Sequence, residues 1–81
     1  MEEKELKKII ARVLKDLGCK DYSFGQYEGG YPGFRVSFSL PKEDALRAYE
    51  ELTNVNLYGV GWLMRDLAAS GEEFKITFEK V

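Results

Sequence analysis

The sequence predicts an α+β domain in which one sheet and two or three helices share a single core. Three segments alternate apolar and polar residues with a period of two, as strands with one buried face do. Two or three other segments repeat apolar residues at helical spacing. Because each apolar strand face can be matched to an apolar helix stripe, we expect a two-layer sandwich, a three-stranded sheet with the helices on one face. The predicted order along the chain is α-β-β-α-α-β.

The first half of the chain predicts one helix and two strands. Helical spacing of apolar residues predicts a helix over residues 3–17, which Gly18 ends. Alternation predicts strands over residues 20–28 and about 34–40, and a glycine-rich hairpin loop joins them at residues 28–33. The apolar positions of the helix are Leu6, Ile9, Ile10, Val13, Leu14 and Leu17.

The second half predicts one or two helices and a final strand. Pro41 is tolerated in the first turn of a helix, so the second helix is expected to begin there and to end before residues 54–56. A third helix is expected from Leu57 or Gly61 to Ala69. The final strand has its apolar side chains at Phe74, Ile76 and Phe78. The predicted buried stripe of the second helix is Ala45, Leu46, Ala48, Tyr49 and Leu52.

Size and composition predict one domain with a packed core. The chain has 81 residues, of which 44% are hydrophobic and 14% aromatic. That length suits a single domain over residues 1–81. The core is expected to draw one residue from each of four elements, namely Leu14, Phe38, Leu52 and Ile76. No apolar run approaches the roughly 18–20 residues needed to span a bilayer, so we expect a cytoplasmic setting and no membrane partner.

The residue types in the chain argue against catalysis. The chain has no histidine and one cysteine, Cys19, which excludes Ser-His-Asp and Cys-His catalytic arrangements and Cys/His zinc sites. The acidic residues occur as adjacent pairs, which do not face each other on a helix. Gly29-Gly30 and Gly59-Val60-Gly61 are too short to indicate a phosphate-binding loop. We therefore predict no enzyme activity, no catalytic or metal-ligating residues and no cofactor.

The third predicted helix carries the strongest indication of function. If it is helical from Leu57, the side chains of Tyr58, Trp62 and Arg65 fall together on its outward face. Exposed Tyr, Trp and Arg have the composition of a protein-interaction hot spot. We therefore predict a protein-interaction module, with Tyr31 of the hairpin loop contributing and another protein or a second copy as partner. The other interpretation, in which the glycines delay the helix and Trp62 joins the core, stays open.

The outer face of the first helix suggests an alternative function. At about 100° per residue, five cations form one arc opposite the apolar stripe, whereas the outer face of the second helix is acidic. A solvated surface would explain both faces, but the cationic arc could also bind an anion. The alternative function is therefore nucleic-acid binding through Lys4, Lys7, Lys8, Arg12 and Lys15.

Two stretches depart from the local regularity of the remaining sequence. Residues 25–33 and 54–66 hold six of the eight glycines, and such departures mark functional or strained sites. Regular segments around two irregular ones would also suit an engineered protein.

The predicted element order resembles that of type II KH RNA-binding domains, which bind nucleotides through a Gly-x-x-Gly loop. Here Gly59-Val60-Gly61 brings the two glycines one residue too close together, and the loop has no lysine or arginine. The resemblance is one of element order alone, and the RNA-binding role is not carried over.

Overall fold

The computed structural model describes residues 1–27, 29, 32–65 and 67–81. Helix α1 spans Glu3–Asp16 and helix α2 spans Lys42–Thr53, and a 3₁₀ turn follows at Leu57–Val60. The strands are β1 (Tyr22–Gln26), β2 (Gly33–Ser39), β3 (Trp62–Met64), β4 (Ala68–Ser70) and β5 (Glu73–Lys80).

All five strands belong to one antiparallel sheet. Its order is β1-β2-β5-β3, and the short strand β4 pairs with the other half of β5, along the same edge as β3. The α+β class is therefore confirmed, but the three-stranded sheet and the order α-β-β-α-α-β are wrong. The segment expected to form a third helix forms the second edge of the sheet instead, which also removes the similarity to KH element order.

The backbone at two residues explains why the third helix does not form. Asn56 (φ 55°) and Gly61 (φ 96°) both adopt the left-handed conformation. Glycine adopts it without steric cost, and asparagine tolerates it better than most residues. A right-handed helix cannot continue through such residues, so only the 3₁₀ turn fits between them. The chain leaves Gly61 in an extended direction and pairs with β5.

The core lies between the two helices and one face of the sheet. Alternate residues of β2 and β5 are buried, and both helices contribute side chains to the same hydrophobic cluster. The four predicted core residues, Leu14, Phe38, Leu52 and Ile76, are all buried, as expected. Leu46 was wrongly assigned to the buried stripe of the second helix, because half of its surface is exposed.

The opposite face of the sheet is open and carries the polar residues that the alternation predicts. In β5 the residues directed to this face are Glu73, Lys75, Thr77 and Glu79, and in β2 they include Arg35 and Ser37. Most of them are exposed or half-buried. Glu79 is the exception, because it is a charged residue with only 5% of its surface exposed.

The core assignment predicts a large difference between two truncations. Phe38→Ala should lower the free energy of unfolding by about 3–5 kcal/mol, because it removes a buried ring stacked on Phe74. Leu46→Ala, at an exposed position of α2, should change it by less than about 0.5 kcal/mol. Urea unfolding followed by circular dichroism measures both values. Similar losses in the two variants would contradict the packing described above.

Candidate protein-binding surface

Trp62 lies in the core at the edge of the sheet. It is the first residue of β3 and is 1% exposed. Its indole ring meets the Phe34 ring edge-on, with centroids 5.5 Å apart. The indole Nε1–H donates a hydrogen bond to the Met1 carbonyl oxygen at 2.9 Å, and the Met1 nitrogen donates one to the Val60 carbonyl oxygen at 2.8 Å. Trp62 therefore cannot anchor an exposed patch on a third helix.

Tyr58 and Arg65 are nevertheless exposed and lie close together. Tyr58 belongs to the 3₁₀ turn and is 70% exposed, and Arg65 follows β3, where its backbone N–H donates to the Thr77 carbonyl oxygen. Both line a surface depression of about 290 Å³. Leu63, and not Trp62, lies beside Tyr58 and Arg65 in this depression. Successive residues of a strand point to opposite faces, so Leu63 is directed to the open face when Trp62 is directed to the core. The remaining lining residues are Glu79, Lys80 and Val81.

Exposed apolar side chains concentrate around this depression. Among the described residues, five large hydrophobic side chains are exposed, and four of them belong to the 3₁₀ turn, β3 and the end of the chain. The fifth, Leu46, lies on α2. We use the term edge patch for Tyr58, Leu63, Arg65 and Val81, which line the same depression; Val60 adjoins them in the chain.

A buried carboxylate holds Arg65 in place. The Glu79 carboxylate accepts hydrogen bonds from Arg65 Nε at 3.0 Å and from Arg65 Nη2 at 3.3 Å, so the ion pair is bidentate. The Tyr27 hydroxyl also interacts with the Glu79 carboxylate. Gly33 lies directly opposite Glu79 in the ladder, and a Cβ at this position would collide with the backbone carbonyl oxygen of Phe78. This clamp of Tyr27, Glu79 and Arg65 ties residues from three parts of the sheet together on its open face.

The clamp changes the pKa values of two of its members. The hydrogen bond from Arg65 is the largest effect on Glu79, and with the smaller contribution of Tyr27 it lowers the pKa of the carboxyl, although burial acts in the opposite direction. The hydrogen bond to the Glu79 carboxylate raises the pKa of the Tyr27 phenol. At neutral pH the clamp thus contains an ionised carboxylate and a neutral phenol, which is the combination that its hydrogen bonds require.

The predicted cationic face of α1 is only partly formed. Lys7 forms an ion pair with Glu3 at 2.9 Å, and its ammonium lies 5.5 and 5.1 Å from the ring centroids of Phe24 and Phe34. Lys7 therefore packs toward the sheet and does not belong to the outer face. The other four cations are exposed and form no ion pair with any described residue. We call them the cation row: Lys4, Lys8, Arg12 and Lys15.

Two of the sequence predictions about sites are not tested by these contacts. Tyr31, expected to join the interaction surface, lies outside the described residues. Within the described part of the chain, no group of three or more His, Cys, Asp or Glu side chains is arranged to hold a metal ion.

Comparisons with known proteins give no relative. No protein-family model, no curated protein and no solved structure matches this chain.

The lowered pKa of Glu79 predicts a specific loss of stability in acid. A carboxyl whose pKa is lower in the folded state contributes stability above its unfolded value, near 4.5, and loses it as the pH falls through the folded value. Glu79→Gln should therefore be less stable than wild type at pH 7, and the difference should shrink progressively below pH about 4.5. Urea unfolding at pH 7, 5, 4 and 3 measures it, with Glu72→Gln, at an exposed turn position, as control. A difference independent of pH would show that the clamp is not held by charge.

Proposed function

We propose that this chain is a non-enzymatic protein-interaction module that binds a protein partner through the edge patch. The observation that carries the proposal is the concentration of exposed apolar side chains around one depression, next to an arginine held by a buried carboxylate. Exposed apolar side chains scattered singly need no explanation, whereas a contiguous group rimmed by polar residues is typical of an interaction site. The lack of histidine in the chain agrees with a role without catalysis.

The side chains of the edge patch suit a binding hot spot. Tyrosine and arginine are the residue types, with tryptophan, that most often dominate interface energies. Binding normally costs the entropy of immobilising long side chains, about 0.5–1.5 kcal/mol each. The Arg65 guanidinium is already oriented by Glu79, so part of that cost is met in the free protein. Leu63 and Val81 supply apolar contact area on either side of it.

The cation row supports a second candidate function, nucleic-acid binding. Lys4, Lys8, Arg12 and Lys15 lie along one side of α1, and none is neutralised by a described residue. Exposed cations along one helix can bind backbone phosphates without reading sequence. The net charge of −2 weighs against this function, because the molecule as a whole does not attract a polyanion. We rank it below protein binding.

The proposal also includes the cellular location of the protein. No helix in the described part of the chain is long and apolar enough to cross a membrane. A cytoplasmic setting with a protein partner is the setting we propose, on the composition of the chain.

The edge patch can be tested before its natural partner is known. Peptides selected from a random displayed library against the wild-type protein should converge on its strongest binding surface. Tyr58→Ala should then weaken the selected peptides by about 2 kcal/mol or more, roughly 30-fold in dissociation constant. Leu46→Ala is the matched control, because among the described residues Leu46 is the exposed large hydrophobic side chain that lies away from the patch. Peptides that bind both variants as well as wild type would show that the patch is not the site.

The cation row makes a separate prediction about salt. If three or four cations bind phosphates of duplex DNA, raising the salt from about 50 to 200 mM should weaken binding by about 40- to 150-fold. The triple change Lys4→Glu, Lys8→Glu and Arg12→Glu should abolish binding while leaving the melting temperature close to that of wild type. Fluorescence anisotropy of a labelled duplex measures the affinity. No binding by wild type at low salt would remove this candidate.

A further inference from the structure

The two edges of the sheet differ in how well they are protected from pairing with another strand. Along the β3–β4 edge the register shifts: Met64 is paired with Phe78, but Ala68 is paired with Lys75. The register of β4 on β5 is therefore offset by one residue from that of β3, and an irregularity of this kind protects an edge from further pairing. β1 at the other edge pairs with β2 without interruption over five residues, Tyr22-Ser23-Phe24-Gly25-Gln26. It contains no charged residue and no proline, the usual protections of an edge strand.

The hydrogen-bond pattern shows which backbone groups of β1 are directed outward. The Ser39 N–H donates to the Asp21 carbonyl oxygen at 3.1 Å, so the backbone of Asp21 faces β2. In an antiparallel ladder the direction alternates, and the backbones of Ser23 and Gly25 therefore also face β2. The N–H and C=O groups of Tyr22, Phe24 and Gln26 are consequently directed away from the sheet.

We infer that β1 pairs with β1 of a second copy of this chain, about a two-fold axis at Phe24. This interface goes beyond the proposed function and does not use the edge patch. The outward groups are self-complementary under that symmetry, because Phe24 pairs with its own copy and Tyr22 pairs with Gln26 of the other copy. The three pairs would form about six interstrand hydrogen bonds. The result is a continuous sheet with all four helices on one face, and each copy presents the same surface.

The side chains of β1 favour a second copy over an unrelated peptide. On the open face the symmetry places Ser23 opposite Gly25 of the other copy, so small side chains meet there. On the helix face the two half-buried Phe24 rings become neighbours, and each is already in edge contact with Tyr22 and Phe34. Lys7, whose ammonium lies over Phe24, comes near the axis but is paired with Glu3. No strand residue brings like charges into contact.

A proline at Gln26 tests the interface without removing a bond to β2. Sedimentation equilibrium of wild type from about 10 µM to about 1 mM should show a monomer–dimer equilibrium, because an edge contact alone is a small interface. Gln26→Pro should raise the dissociation constant about 25-fold, since two interstrand hydrogen bonds are lost at about fivefold each. Gln26→Thr keeps the N–H and should dimerise as wild type does.

The register itself can be tested with cysteines in a Cys19→Ala background. Ser23→Cys and Gly25→Cys would face each other across the interface with Cα atoms about 4.5 Å apart, within the range of a disulfide. A Cβ added at Gly25 meets no atom within 4 Å. A mixture of the two single variants should form a disulfide-linked heterodimer at least ten times faster than either variant links to itself. The cross-linking experiment tests the β1–β1 interface even if Gln26→Pro does not fold.

Three results would overturn the inference. Wild type that is monomeric at every concentration has no such interface. A dimer that survives Gln26→Pro but is lost in Leu63→Glu uses the edge patch, which would leave the proposed function standing. Extended peptides that bind β1 of a monomeric wild type would show that the edge accepts a strand but not a second copy.

Discussion

The burial of Trp62 at the start of β3 is the interaction on which the rest of this structure depends. Trp62 is the largest fully buried side chain among the described residues, and an aromatic side chain of this kind buries roughly 150–250 Å². Its N–H needs a hydrogen-bond acceptor once it is buried, and the Met1 carbonyl oxygen supplies one. Placing the indole against Phe34 requires residues 62–64 to be extended. That conformation directs Leu63 to the open face and brings Arg65 alongside Glu79.

The clamp on the open face follows from the same strand. Once β3 pairs with β5, Leu63 lies directly opposite Glu79. The backbone N–H of Arg65 donates to the Thr77 carbonyl oxygen, and the Arg65 guanidinium lies on the Glu79 carboxylate. A carboxylate this well covered would be costly without such a partner. The exposure of Leu63 and the orientation of Arg65 on the open face therefore both follow from the packing of Trp62 on the helix face of the sheet.

Where residues satisfy one simple pattern, the sequence was a reliable guide. The spacing in α1 fits only a helix, and the alternation in β2 and β5 fits only a strand with one buried face. The core residues of these elements, such as Leu14 and Ile76, are buried as expected. The polar face of the sheet was also predictable, because parity along a strand determines it.

Residues 54–70 could not be predicted in the same way. Leu57, Val60, Leu63 and Leu67 occur at helical spacing, but Leu63 is directed to solvent and Val60 is exposed. Asparagine and glycine permit the left-handed conformation without requiring it, so Asn56 and Gly61 could be distinguished from helix residues only through the tertiary structure. The pairing of Glu79 with Arg65 joins residues 14 positions apart through the register of the sheet. Leu46 was predicted to be buried for a similar reason, because it is apolar, and apolar character alone does not determine burial.

The two edges of the sheet would cooperate if both inferences hold. Pairing through β1 extends the sheet on one side and leaves the β3–β4 edge free on the other. A dimer would then present two edge patches at opposite ends of one continuous sheet. A partner with two binding segments could engage both and bind more tightly than either contact alone allows. A partner with one segment would gain nothing from the dimer.

Tryptophan fluorescence tests the central claim most directly, because the chain contains one tryptophan and its emission reports one environment. The folded protein should emit with a strongly blue-shifted maximum, and iodide should quench it poorly. Both properties should persist on dilution to a monomer, and urea unfolding should shift the emission to the red. A folded monomer with red-shifted emission that iodide quenches readily would contradict the burial of Trp62, and with it the placement of Leu63 and Arg65.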